Sequence, residues 1–132
     1  MPLIVEITPA ISEEMVSTAT QLKHALKKYA EEARAQDRLW LIRLVTFSGD
    51  ALHIVVGRSE SILWYEPNDD LGGGATSRGN LHDSDYRLIF YADRVHHTEL
   101  PGEMVIPMQD AERAALEFLT TEKRPENVRW AF

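Results

Sequence analysis

The chain has no cysteine, which removes disulfides, thiolate metal sites and a cysteine nucleophile together. That absence fits a reducing compartment. Positive charge is also scarce: 14 Lys and Arg stand against 21 Asp and Glu, a formal net charge of −7. Phosphate contacts need a basic footprint, so direct binding to nucleic acid is not expected. The same surplus suits solubility and steers encounter with a basic protein partner. Long apolar runs are missing as well. The stretch Met1 to Ala10 has no basic start and its apolar run breaks at Glu6, so neither a leader nor a membrane span is expected there. No later window approaches the roughly 20 apolar residues of a spanning helix. The expectation is a cytoplasmic protein with no membrane association.

What remains is ordinary globular material. Of 132 residues, 44% are apolar and 27% charged, which suits one domain over residues 1–132 with a single core. Pro2 to Thr8 reads as a strand, and Glu14 to Thr18 as a short second one. From Thr20, a plausible helix cap, Leu22, Ala25, Leu26, Tyr29, Ala30 and Ala33 recur at helical spacing and mark an amphipathic helix. Leu39 to Phe47 is nearly all apolar, as in a strand buried on both faces. Leu52 to Val56 returns from the Ser48-Gly49-Asp50 turn, and Ser61 to Tyr65 continues an antiparallel meander. Glu66 to Asp85 holds four of the seven glycines and four aspartates and reads as a loop. Arg87 to Ala92 and Val95 to Leu100 form a hairpin. Pro107 opens a second helix with Ala111, Ala114, Ala115, Phe118 and Leu119 on one face, stopped by Arg124-Pro125. Asn127 to Phe132 finishes as a strand with Val128 and Trp130 on one side. The fold class expected is α+β, a mostly antiparallel sheet with two helices packed on one face.

Chemistry is hard to find in this pattern. Gly72-Gly73-Gly74-Ala75-Thr76-Ser77-Arg78-Gly79 offers backbone N–H groups that can cradle a phosphate. It lacks the lysine–hydroxyl pair of a P-loop and the G-x-G-x-x-G spacing, and no helix follows. Asp69, Asp70, Asp83 and Asp85 around it repel an anion. A sharply turned strand connection is the plainer reading, with a phosphate or small-molecule site using Arg78 as the alternative. His96 and His97 adjoin each other, and adjacent strand residues point to opposite faces, so they do not share an ion without a bulge. His24 and His53 look incidental. No carboxylate sits in a catalytic context and G-x-S-x-G is absent. Trp40, Trp64 and Trp130 with Tyr65, Tyr86 and Tyr91 suit core or sheet-face packing, though an exposed subset would anchor a protein partner. No catalytic residue, cofactor or metal is expected, and the chain is not expected to be an enzyme.

The C-terminal half carries a more specific signal. A Gly-rich stretch ending in Ser77-Arg78-Gly79 precedes a strand around Phe90-Tyr91, then Leu100-Pro101, then Ile106-Pro107 opening a helix. That helix carries Ala114 and Glu117-Phe118-Leu119, and Arg124-Pro125, Val128 and Trp130 follow. This ordered set, about the last 60 residues by motif, resembles the family numbered first among immunity proteins of bacterial polymorphic toxin systems. Family members commonly have a glycine-containing turn after the helix, where this chain has Thr121-Glu122-Lys123. The resemblance implies a protein that binds and inhibits a cognate toxin encoded nearby, often a nucleic-acid deaminase, by occluding its active site. On that basis Glu66, Asp69, Asp70, Asp83 and Asp85 are the expected toxin contacts. Gly73, Gly74, Ser77, Arg78, Gly79, Phe118, Pro125 and Trp130 are expected to hold the structure. A monomer or weak dimer is expected.

Overall fold

The first helix begins two residues earlier than the apolar spacing alone suggests. In the computed structural model, which describes residues 2–68, 74–93 and 95–131, α1 spans Ala19–Ala35 and is capped by Thr18, not Thr20. Thr18 Oγ1 accepts from the Gln21 backbone N–H at 3.1 Å, and Gln21 Oε1 accepts from the Thr18 N–H at 3.2 Å. This reciprocal box satisfies two end donors that Thr20 has no partner to complete. Leu22, Ala25, Leu26, Tyr29 and Ala33 form the buried stripe. The second helix, α2 (Met108–Thr121), buries Ala111, Ala114, Ala115, Phe118 and Leu119. It ends at Glu122, whose φ of 56° is left-handed, so Glu122 takes the conformation glycine usually supplies at a helix end.

The strands are β1 (Leu3–Ile7), β2 (Ser12–Val16), β3 (Trp40–Val45), β4 (Ala51–Val56), β5 (Glu60–Ser61), β6 (Leu63–Glu66), β7 (Ala75–Arg78), β8 (Arg87–Tyr91), β9 (His97–Pro101), β10 (Ile106–Pro107) and β11 (Arg129–Ala131). The main sheet runs β11-β7-β6-β4-β3-β1-β2, antiparallel throughout this path. The β8–β9 hairpin joins it through a parallel bridge between Trp40 and Tyr91. A two-stranded ribbon pairs β10 with β5. This is an α+β domain with a mostly antiparallel sheet.

Both helices pack on one face of that sheet. Leu3, Val5, Ile7, Ile42, Leu44, Leu52, Ile54 and Leu63 meet the two helical stripes in one apolar cluster. Strand alternation sends the neighbouring side chains to the other face, and there a smaller cluster forms. Leu39, Val55 and Ile62 pack under Leu88 and Phe90 of β8, with Val105 from the segment after the short 3-10 helix Gly102–Met104. The hairpin therefore roofs only part of the second face.

Two local expectations need correcting. The strand buried along its whole length is β4, not β3, because Leu41 and Arg43 of β3 stay half-exposed while β4 is enclosed from both sides. Residues 66–85 are not all loop. Ala75–Arg78 forms β7, inserted between β6 and β11. Its Ala-Thr-Ser-Arg sequence has little strand propensity, and pairing on both sides supplies what the side chains lack.

Candidate functional site

The unroofed part of the second face is built by register. Cross-strand partners Glu13–Glu6, Glu6–Arg43, Arg43–His53, His53–Trp64 and Trp64–Thr76 form one row across β2, β1, β3, β4, β6 and β7. A second row holds Met15, Ile4, Val45, Ala51 and Glu66. Met15 is 60% and Trp64 44% exposed, a large apolar pair on a face that carries charge between them.

The charges are organised around Arg43. Its Nη1 donates to Glu6 Oε2 at 2.9 Å and its Nη2 to Glu66 Oε1 at 3.4 Å. Each of these side chains is about one-third or more exposed, so the network orders the surface and adds little stability. Glu13 lies directly opposite Glu6, a like-charge pairing that costs stability. A groove of about 410 Å³ at the β1–β2 turn is lined by Glu6, Glu13 and the exposed Ile11.

His53 is the least comfortable group on the face. It is only 9% exposed, and among the described residues neither ring nitrogen has a hydrogen-bond partner. Its ring stacks on Trp64 with centroids 5.1 Å apart. Burial pushes its pKa below the usual 6.5, with Glu66 pulling it up and Arg43 pushing it down. The imidazole is therefore neutral at pH 7, and its Nε2 contact with Glu66 Oε2 at 3.8 Å is not an ion pair. A buried unpaired donor costs about 1–3 kcal/mol.

A pH dependence follows. The unfolded chain takes up the His53 proton near pH 6.5, whereas the folded one resists until a lower pH. Stability from this group is thus complete above about 6.5 and falls as pH drops through that window to the folded value. Urea titrations at about pH 7.5 and 5.5 should show a larger loss for wild type than for His53→Leu. Equal losses would contradict the burial argument.

The expected contact residues fall into two groups. Glu66 sits on the open face, bonded to Arg43. Asp69 and Asp70, next in sequence, lie outside the described residues. Asp83 and Asp85 lie in the segment that leads into β8. Asp83 Oδ1 accepts from the backbone N–H of Asp85 at 3.0 Å and of Tyr86 at 3.3 Å, holding its own turn. Asp85 is exposed. His82, from the same segment, contacts Glu60 and stacks on Tyr86.

The residues expected to hold the structure are placed as follows. Gly73 lies outside the described residues. A Cβ on Gly74 would meet nothing closer than the Tyr65 carbonyl at 3.7 Å, whereas one on Gly79 would land on the Val105 carbonyl oxygen. Buried Ser77 accepts from Leu63 N–H at 3.0 Å and donates to the Met104 carbonyl at 2.7 Å, tying β6 and β7 to the 3-10 helix. Arg78 pairs with Glu103 at 3.4 Å. Phe118 is fully buried, and the Trp130 indole N–H donates to the carbonyl of buried Pro125 at 2.7 Å.

The aromatic residues divide: Trp40 is buried, Trp130 packs beside the helix-face core, and Trp64 is the exposed one. His96 and His97 are exposed on the hairpin. Backbone N–H groups of His96 and Val95 hold the Asp93 carboxyl below the usual range. Among the described residues no three His, Asp or Glu side chains converge to hold a metal ion, and no helix is long and apolar enough to cross a membrane. Nothing in the sequence pattern singles out Glu6, Glu13, Met15 or Arg43, and His53 looks incidental there.

The fold and this face define a small α+β domain with a half-open sheet, whose exposed groups suit contact with another molecule. Residues 12–131 match the family described as Immunity protein Imm1, and the chain belongs to that family. No curated protein matches the chain.

Proposed function

We propose that this protein binds a cognate bacterial toxin encoded beside it and inhibits it by covering the toxin's active site, with no turnover of its own. Membership of the immunity family over residues 12–131 is the observation that carries the reading. The net charge of −7 supports a basic partner, as a nucleic-acid-processing enzyme of deaminase type is, because such enzymes need cationic grooves for phosphate. Of the carboxylates that the sequence singles out, Glu66, bonded to Arg43 on the open face, is the one proposed to meet it, with Asp69 and Asp70 following in sequence. Asp83, occupied with its own turn, and Asp85 are left out of the proposed contact. The inhibitor works in the cytoplasm as a monomer or weak dimer, without nucleic acid or membrane.

The test is co-expression with the adjacent toxin gene. Growth should be restored and a complex should co-purify. Toxicity that persists beside well-expressed, folded protein, with no complex recovered, would end the proposal.

A further inference from the structure

Several groups on the open face stay where stability alone would remove them. Glu6 and Glu13 are like charges in direct cross-strand register. His53 is buried with neither ring nitrogen hydrogen-bonded among the described residues. Trp64 and Met15 are large, apolar and exposed. A local rule broken once is noise, whereas several broken together on one contiguous surface mark a functional site. The residues that keep the rules lie on the same face a few ångströms away, where Val55 and Ile62 are roofed by the hairpin.

The composition of the patch names its partner. Glu6, Glu13 and Glu66 stand against Arg43 alone, and with His53 neutral the two rows carry a net charge of −2: three carboxylates, one guanidinium. Arg43 is already shared between Glu6 and Glu66, which leaves Glu13 at the rim of the groove lined by Glu6 and Ile11. Glu6 already accepts from Arg43, so an ammonium or guanidinium entering there supplies the countercharge that Glu13 lacks and lessens its repulsion with Glu6. Trp64, seated on the His53 ring, is a flat apolar anchor of the kind that dominates protein interfaces.

We infer that the open face of the sheet, from Glu13 through Arg43 to Trp64, is the surface that docks the toxin, receiving a lysine or arginine between Glu6 and Glu13 while Trp64 packs against the partner. This rests on the inhibitor reading above and specifies its contact. It places the centre of the interface on β1–β4 and β6, with Glu66 inside it and Asp83 and Asp85 outside.

The test measures affinity of purified wild type and variants for the purified adjacent toxin, with urea midpoints for each variant. Trp64→Ala should weaken binding about 30-fold or more, as loss of a central anchor does. Glu13→Lys should weaken it about 10-fold and reduce its salt dependence, while its urea midpoint stays level or rises because the Glu6 repulsion is gone. A variant that is at least as stable yet binds worse excludes a merely structural explanation. Asp85→Lys should bind within about twofold of wild type, as a charge outside the contact does. Wild-type binding with Glu13→Lys and Trp64→Ala both unchanged would overturn this surface and leave the inhibitor reading intact, as would an Asp85→Lys loss larger than theirs. Failure of wild type itself to bind would sink both.

Discussion

Phe118→Ala is expected to cost about 3–5 kcal/mol, against the 5–15 kcal/mol that a domain of this kind typically has in total. Phe118 has no exposed surface and sits where α2 meets the sheet. Its ring stands edge-on to Tyr65, centroids 6.3 Å apart, and Tyr65 in turn stands edge-on to Trp130. Truncation leaves a void between α2 and the sheet beside Tyr65 that small neighbours such as Ala114 and Ala115 cannot fill. The variant's urea midpoint should fall steeply with its slope unchanged. Val95→Ala, on a side chain 77% exposed, should stay within about 0.5 kcal/mol. Similar midpoints for the two variants would contradict the assignment of the core.

The second large effect separates two glycines five positions apart. A methyl group on Gly79 collides with the Val105 carbonyl oxygen and sits 3.2 Å from Ile106 Cγ2. Backbone has to move to make room, and the Gly79 N–H bond to the Glu103 carbonyl, 2.9 Å long, goes with it. Gly79→Ala should therefore lose about 1–3 kcal/mol or more. Gly74→Ala meets only ordinary contacts and should be neutral, or gain about 0.4–1 kcal/mol by restricting the unfolded chain where the backbone angles allow. Thermal or urea midpoints read both. Equal effects would mean that the glycines serve backbone freedom in general and that the close approach of β7 to the 3-10 helix segment is wrong.

The contrast bears on what the sequence reveals. The helix stripes were legible because apolar side chains at 3.6-residue spacing have one physical use, burial of a face. Leu22, Ala25, Leu26, Tyr29 and Ala33 and the Ala111, Ala114, Ala115, Phe118 and Leu119 stripe are buried as the spacing predicts, with Ala30 half-buried. The Thr18 cap was missed because its signal is a reciprocal pair with Gln21 and lies before the apolar pattern begins. Strand β7 was illegible since its short polar residues owe their conformation to β6 and β11 on either side.

The candidate surface was harder still. Leu41, Arg43, Val55, His53, Ile62 and Trp64 all point to the same side of the sheet, and alternation treats them alike. Which of them are covered depends on where the β8–β9 hairpin comes down, a tertiary event joined to the sheet, among the described residues, by the Trp40–Tyr91 bridge. A solitary histidine between Leu52 and Ile54 carries no mark of its burial under Trp64. Of the acidic residues that sequence did single out, Glu66 reaches the open face, while Asp83 is occupied with its turn.

The proposed function requires this acidic domain to capture a toxin stoichiometrically. The most direct measurement is to titrate purified protein into a fixed amount of the neighbouring toxin while following the toxin's catalytic activity. Activity should fall linearly to near zero as inhibitor approaches toxin in molar amount, with the endpoint tracking toxin concentration. Undiminished toxin activity at a large molar excess of folded protein, or a loss that grows with time as substrate is consumed by the added chain, would contradict it.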